Sequence, residues 1–131
     1  MGSFTFCKEE KLNSIKLLEQ LFASGKAFQS GALRLLVLET PLKVDFPAQA
    51  AFAVAKRNFK HAHDRNRIKR LLRECYRKDK SNLYEALQSK QKQVALVYIY
   101  QAKRLPDYAY IESKLKAIHQ QYLLTLHATA E

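Results

Sequence analysis

Tryptophan is absent from this 131-residue chain, and glycine, proline and cysteine number only three, three and two. So little glycine argues against a glycine-rich phosphate cradle, and no repeated period marks a solenoid. Cys7 and Cys75 are too few for a disulfide framework and lack metal-ligand spacing, which points to reduced thiols. The longest apolar run, Val94 to Tyr100, falls far short of the roughly 20 residues needed to span a bilayer. At the start, no basic stretch precedes an apolar run, so no signal peptide is expected. Phe6 also stands where a myristoylation motif wants Ser or Thr. A soluble, cytoplasmic protein is the expectation.

Acidic residues are scarce as well: 12 Asp and Glu face 23 Lys and Arg, a net charge of +11. On so small a body that charge repels itself and suits a polyanionic partner. The 47% hydrophobic content nevertheless supports a packed interior, and the length suits one domain rather than two.

The charge is concentrated. Between Lys56 and Lys80 lie eleven bases against three acids, Asp64, Glu74 and Asp79, a net of +8. The remainder of the chain holds twelve bases against nine acids, a net of +3. Within the basic stretch, Ile68, Leu71, Leu72, Cys75 and Tyr76 follow the i, i+3, i+4, i+7, i+8 pattern of a helix with one buried stripe. At about 100° per residue, Asn66, Arg70, Arg73 and Arg77 gather on the opposite side. Arg65 and Lys69 border the stripe near Tyr76; Arg67 and Lys78 lie on the other flank, where Glu74 can pair with Arg70 and Lys78. Arginine predominates, and its planar fork suits bidentate contact with phosphate. The alternative is a solvated amphipathic helix, although solvated faces usually mix signs more evenly.

Elsewhere, Ser14 can cap a helix with Ile15, Leu18, Leu21 and Phe22 at its apolar positions, ending near Gly25. Leu33–Glu39 and Val94–Tyr100 have strand length, with Val94, Leu96, Tyr98 and Tyr100 on one face. Pro41 and Pro47 bracket a loop. From Ala51 to Arg57 the chain alternates, with Ala51, Ala53, Ala55 and Arg57 facing one way and Phe52, Val54 and Lys56 the other. Ser81–Ser89 reads as a separate short helix with Leu83 and Leu87 inward. After Pro106, Ile111, Leu115, Ile118, Tyr122 and Leu126 mark a closing helix. The expectation is an α+β fold: a single-domain two-layer sandwich, α-β-β-β-α-β-α, with the basic helix beside a small mixed sheet. The alanine face leaves a trough closed by Arg57 that would suit an extended single strand of nucleic acid. Equally, it could simply let a helix pack closely on the sheet.

The stretch from Val54 to Glu74, Val-Ala-Lys-Arg-Asn-Phe-Lys-His-Ala-His-Asp-Arg-Asn-Arg-Ile-Lys-Arg-Leu-Leu-Arg-Glu, resembles the signature of the bacterial ribonuclease P protein subunit. Arg65-Asn66-Arg67 is similar to the family's arginine-asparagine-arginine box, and Lys11-Leu12 and Phe22…Gly25 also fall where the family pattern puts them. The resemblance implies a left-handed crossover joining strand, box helix and strand, against the usual handedness. It further implies a protein that assists cleavage by a catalytic RNA. That RNA, holding magnesium ions, would hydrolyse the 5′ leader from precursor transfer RNA; the protein itself would bind no cofactor. Arg65, Asn66, Arg67, Lys69, Arg70 and Arg73, together with Arg77, Lys56 and Lys60, would contact the catalytic RNA. Phe22, Ala53, Ala55 and Arg57 would line a leader cleft between the box helix and the sheet. Neither DNA nor membrane is an implied partner. Leu18 and Leu36 occupy cleft positions that are often aromatic in the family, which would weaken base stacking.

Competing chemistries are weaker. His61-x-His63 with Asp64 hints at a metal site, but residues two apart on a helix point about 200° apart, and no third ligand follows at sensible spacing. Asp64 has an ordinary task available, capping the box helix. The acids are too scattered for a chain-encoded nuclease. A standalone RNA-binding or ribosome-associated module would explain the charge but not the box. A lipid-binding basic helix would need exposed apolar residues, whereas Ile68, Leu72 and Tyr76 are required inside.

Overall fold

The structure, a computed structural model, describes residues 6–128. Residues 1–5, on which most of the signal and myristoylation readings rest, lie outside them. A 3-10 turn (Lys8–Glu10) precedes α1 (Ile15–Ser24), β1 (Lys26–Ser30), β2 (Leu33–Glu39), β3 (Ala48–Val54), α2 (Ala62–Ser89), β4 (Val94–Tyr100) and α3 (Tyr108–Ala128). This is the expected order, and it locates the strand the sequence pattern left unplaced, β1. The sheet runs β1-β2-β4-β3, antiparallel except where β3 lies parallel to β4.

Local chemistry explains most boundaries. Ser14 Oγ accepts from the Leu17 N–H at 3.2 Å, capping α1. Gly25 closes the helix where a side chain would press within 2.5 Å of the Leu21 carbonyl oxygen. Three readings need correction. The third strand starts earlier and stops at Val54, because its partner strand ends at Tyr100 and Ala55–Asn58 closes a turn, Asn58 N–H to Ala55 C=O, 3.1 Å. Ala55, Lys56 and Arg57 therefore follow the strand. Ser81–Ser89 is no separate helix but the last third of the 28-residue α2. The sequence pattern breaks there because Lys80 occupies a position of the buried stripe, between Tyr76 and Leu83. Asp64 does not cap α2: the N-cap is His61, and Asp64 sits in the first turn without a side-chain capping bond.

Alternation along the strands sorts the core into two faces. Leu33, Leu35, Val37, Ala48, Ala50, Val54, Val94, Leu96, Tyr98 and Tyr100 are buried under α2 and α3, whose Ile68, Leu72, Cys75, Tyr76, Ile111, Leu115, Ile118 and Tyr122 meet them. This is the sandwich anticipated from the sequence. The opposite face carries Leu36, Ala95 and Val97, and α1 lies across it with Leu21 buried and Leu17 and Leu18 half-buried. Thus α1 adds a partial cover on the side away from the basic helix.

The Lys80 interruption is compensated. Its ammonium pairs with Glu10 Oε2, and both side chains are almost wholly buried, 3% and 1% exposed. Glu10 also accepts from Tyr84 OH at 2.6 Å and from the Cys7 N–H at 2.9 Å, and Tyr76 OH donates to Tyr84 OH at 3.1 Å. The network ties the N-terminal segment to the middle of α2. Burial pushes the Glu10 carboxyl up, but the bonds from Lys80, Tyr84 and the Cys7 N–H outweigh it and hold the group below its ordinary range. Stability from this carboxylate is therefore present above the ordinary carboxylate range and is lost as pH falls through its depressed value. Replacing Lys80 with Met strands a buried charge and should cost about 3–5 kcal/mol, read as a lower urea midpoint at pH 7. A Glu10→Gln variant should show a flatter acid limb in a pH series of urea midpoints. An unchanged limb would remove Glu10 from the linkage.

Candidate nucleic-acid interface

The stripe of α2 that includes Ile68, Leu72 and Tyr76 is committed to the core, which fixes the direction of everything else on the helix. Tyr76 is fully buried, in edge contact with Phe52 (5.8 Å), Tyr98 (5.5 Å) and Phe6 (5.6 Å). Asn66, Arg67, Arg70 and Arg73 consequently project into solvent, Lys69 is half-buried at the border, and the Arg73 guanidinium lies 6.0 Å from the Phe52 ring centroid. The expected pairing of Glu74 with Arg70 is replaced. Arg77 engages both Glu74 oxygens, with Nε to Oε1 at 3.3 Å, and Lys78 adds a 3.9 Å contact. The Arg77 guanidinium holds the Glu74 carboxyl below its usual range. Hence Arg70 and Arg73, with no ion pair among the described residues, form the open part of the ridge, while Arg77 is engaged within the helix.

Arg65 also has a structural task. Its Nη1 donates to the carbonyls of Phe59 (2.7 Å) and Lys60 (3.0 Å), clamping the loop before α2. Two other anchors hold that loop. The buried Phe59 ring packs on Tyr100 at 6.2 Å, and Asn58 Nδ2 donates to the Gln101 carbonyl at 3.1 Å. The loop thus presents Lys56, Arg57 and Lys60, all exposed, from a fixed backbone.

The expected cleft between the box helix and the sheet does not exist, because Phe52, Ile68, Leu72 and Tyr76 fill that space. Parity along β3 turns Ala51 and Ala53 to the other face, where they pack half-buried against the α1 cluster with Leu18 and Ile99. Across the sheet, Ala53 aligns with Ile99 and Ile99 with Arg34, so one row reads Ala53, Ile99, Arg34. On α1, Ile15 and Phe22 are seven residues apart and share a flank, and both are exposed, 73% and 60%. Lys16 and Gln20 take the opposite flank, which borders Thr40–Val44 and Gln49. The Ile15 and Phe22 flank therefore looks along the sheet toward the Ala53–Arg34 row. Phe22 and Leu18 thus border a half-exposed strip of the sheet that runs from Ala53 through Ile99 to Arg34 at its far end. Ala55 and Arg57 follow from its near end. Leu36 is 4% exposed beneath α1 and is not part of any open surface.

Residues 6–123 match the family model described as Ribonuclease P. The chain belongs to the ribonuclease P protein family. The ribonuclease P protein component of Chlorobium phaeobacteroides is 34% identical over 121 residues, covering 85% of this chain and 83% of that protein. That of Porphyromonas gingivalis is 32% identical over 115 residues, covering 87% and 83%. The fold is similar to those of the RNase P proteins from Staphylococcus aureus and Thermotoga maritima. The first has a TM-score of 0.69 at 15% identity over 86% of this chain and 94% of that one; the second has 0.62 at 19% over 85% and 96%.

The sequence reading did not include Arg34, Ile99 and Ile15, which the sheet register and the flank of α1 place beside Ala53 and Phe22. Arg34 had a signal, a cation inside a predicted strand, but its face was not assigned. His63 Nδ1 lies 3.6 Å from Asp64, and no group of three or more His, Cys, Asp or Glu among the described residues could hold a metal ion. Cys75, buried in the stripe, has its thiol pushed up to about 11 chiefly by burial, as befits a core residue.

The two kinds of box arginine should separate on denaturation. Arg65→Ala removes two charge-assisted bonds to the loop and should lower stability by about 1–2 kcal/mol. Arg70→Ala, on the open ridge, should leave the urea midpoint within error. Equal midpoints for the two variants would show that the clamp contributes nothing.

Proposed function

We propose that this chain is the protein subunit of ribonuclease P, working in the cytoplasm beside a catalytic RNA. The ridge of Asn66, Arg67, Arg70 and Arg73, with Lys69 at its border and Lys56 and Lys60 on the adjoining loop, binds the phosphates of that RNA. The cleft of Leu18, Phe22, Ala53 and Ile99, with Arg34 at one end and Ala55 and Arg57 at the other, takes the single-stranded 5′ leader of precursor transfer RNA. Phe22 there offers one exposed ring for base stacking and the arginines offer charge. The chemistry, hydrolysis that leaves a mature 5′ end, belongs to the RNA and to magnesium ions that the RNA holds. The protein raises affinity for substrate and screens repulsion between two polyanions. One observation carries this reading: in a chain of this family, the box helix spends its apolar stripe on the core and leaves its open arginines facing solvent.

Reconstitution tests it. Purified protein, a bacterial catalytic RNA and labelled precursor are combined at low magnesium, and leader release is followed with each component omitted in turn. Release should need the RNA and rise strongly with the protein. Release by protein alone would make the chain a nuclease, and tight RNA binding without any boost would favour a standalone RNA-binding module. Arg70→Ala and Arg73→Ala should each lower the salt slope of catalytic-RNA binding by about one unit, if each contacts one phosphate. Arg57→Ala should weaken precursor more than mature transfer RNA, since only the precursor carries a leader. Equal losses on both would take Arg57 out of the cleft.

A further inference from the structure

On the far flank of α1 from the cleft lies a second groove, of about 660 Å³, between the N-terminal segment, the first turns of α1 and the β2–β3 connection. Four lysines line it, Lys8, Lys11, Lys16 and Lys43, against a single acid, Glu9. All four are exposed, and none has an ion pair among the described residues. Of the other lysines, Lys78, Lys80, Lys92 and Lys116 each sit within 4 Å of a carboxylate, whereas Lys26, Lys90, Lys103 and Lys114 also lack an ion pair among the described residues. What marks the groove is that four such lysines line one volume. The charge count sharpens the contrast. Outside Lys56–Lys80 the chain has a net charge of +3, and four lysines with one glutamate make the same +3. The groove's charge thus equals the whole excess beyond the box region, and the other residues outside that region sum to zero in the sequence.

Such a cluster raises the free energy of the isolated protein by mutual repulsion, which an anionic ligand relieves. The lining contains no aromatic ring, so it offers nothing for bases to stack on. Ammonium groups act as point charges, suited to phosphates at no fixed orientation. Gln20, Gln49 and Asn13 add neutral polar groups, with Gln49 Nε2 already donating to the Glu9 carbonyl at 3.0 Å. The ligand chemistry this fits is an RNA sugar-phosphate backbone read without regard to sequence.

Position selects which RNA. The cleft and the groove flank α1 on its two sides, away from the arginine ridge on α2. The groove's N-terminal wall, Lys8 and Glu9, adjoins Glu10, which reaches Lys80 of α2 at the sheet edge. An extended strand leaving the cleft can pass over this single helix, roughly 10 Å across, and reach the lysines. We infer that the groove holds the distal, 5′-ward part of a long precursor leader by its phosphates, a second leader site beyond the cleft. This rests on the proposed function for the identity of the strand.

The test compares wild type with a Lys11→Gln, Lys16→Gln, Lys43→Gln triple variant of the full chain, whose unchanged urea midpoint shows that it folds as wild type. If that midpoint falls, the charge-conserving triple Lys→Arg variant must restore binding for the assignment to stand. Affinity of the reconstituted holoenzyme is measured for precursors with progressively longer leaders, for mature transfer RNA, and across a salt series. Wild type should bind long leaders more tightly than short ones. The variant should lose that increment, with a salt slope shallower by about 2 for three lost contacts to a single strand, and should bind short-leader precursor and mature transfer RNA as before. An equal loss at every leader length, or weaker binding of the catalytic RNA alone, would give the lysines to the catalytic RNA and overturn the leader assignment. No loss anywhere would overturn the groove as an RNA site. In a separate arm, an unstructured RNA oligonucleotide is titrated into the protein alone. Unaltered oligonucleotide affinity and slope in the variant would reject the groove even if reconstitution fails for wild type, a failure that by itself counts against the proposed function.

Discussion

The docking of α2 onto the sheet through Tyr76 is the constraint on which the rest depends. A fully buried tyrosine needs a partner for its hydroxyl, and Tyr76 finds one in Tyr84, which in turn donates to Glu10. Around the same ring stand Phe6, Phe52, Tyr98 and His119, drawn from the N-terminal segment, both parallel strands and α3. One residue thus joins four parts of the chain and sets the rotation of α2 about its axis. The outward direction of Arg70 and Arg73 is a consequence of that rotation, so the ridge is as firmly oriented as the core behind it.

A chain with a net charge of +11 must decide where its cations are neutralised internally and where they are left for something else. Glu10 is used on Lys80, Glu74 on Arg77 and Lys78, and Glu39 on Lys92. Each of these acids restrains a base, and the Lys80 pair is buried within the fold. None serves Arg70, Arg73 or the groove lysines. The division is what a protein that meets polyanions needs, because an internally paired cation would have to give up its carboxylate before it could take a phosphate.

The strands Leu33–Glu39 and Val94–Tyr100, the buried stripe of α2 and the apolar positions of α3 were legible because each follows a simple period over a sufficient length. The basic ridge was legible for the same reason. What failed to show depends on contacts distant in sequence. Lys80 breaks the helical pattern unless Glu10, seventy residues earlier, is known to lie against it. Likewise, the end of β3 is decided by where β4 stops pairing, and the face on which Ala51 and Ala53 open is decided by which helix covers which side of the sheet. Alternation told which residues share a face but not what each face meets, and the cleft implied between the box helix and the sheet meets a filled core there, with Ala51 and Ala53 turned to the α1 side.

The side of the sheet on which a leader would lie has a mechanical consequence. If the leader lay between α2 and the sheet, binding it would compete with the packing that orients the arginine ridge, and the two RNAs would interfere. With the cleft on the α1 face, a four-stranded sheet with a packed layer of Tyr98, Leu96 and Leu72 separates the two surfaces. Close-packed interiors deform little, so each surface can be occupied without disturbing the other. The loop from Ala55 to His61 is where the two surfaces adjoin along the chain, and Phe59, Asn58 and Arg65 fix it at three points. Under the proposed function, a rigid link of this kind holds the leader at a set distance from the catalytic RNA, which is how a protein without catalytic groups of its own can position a scissile bond.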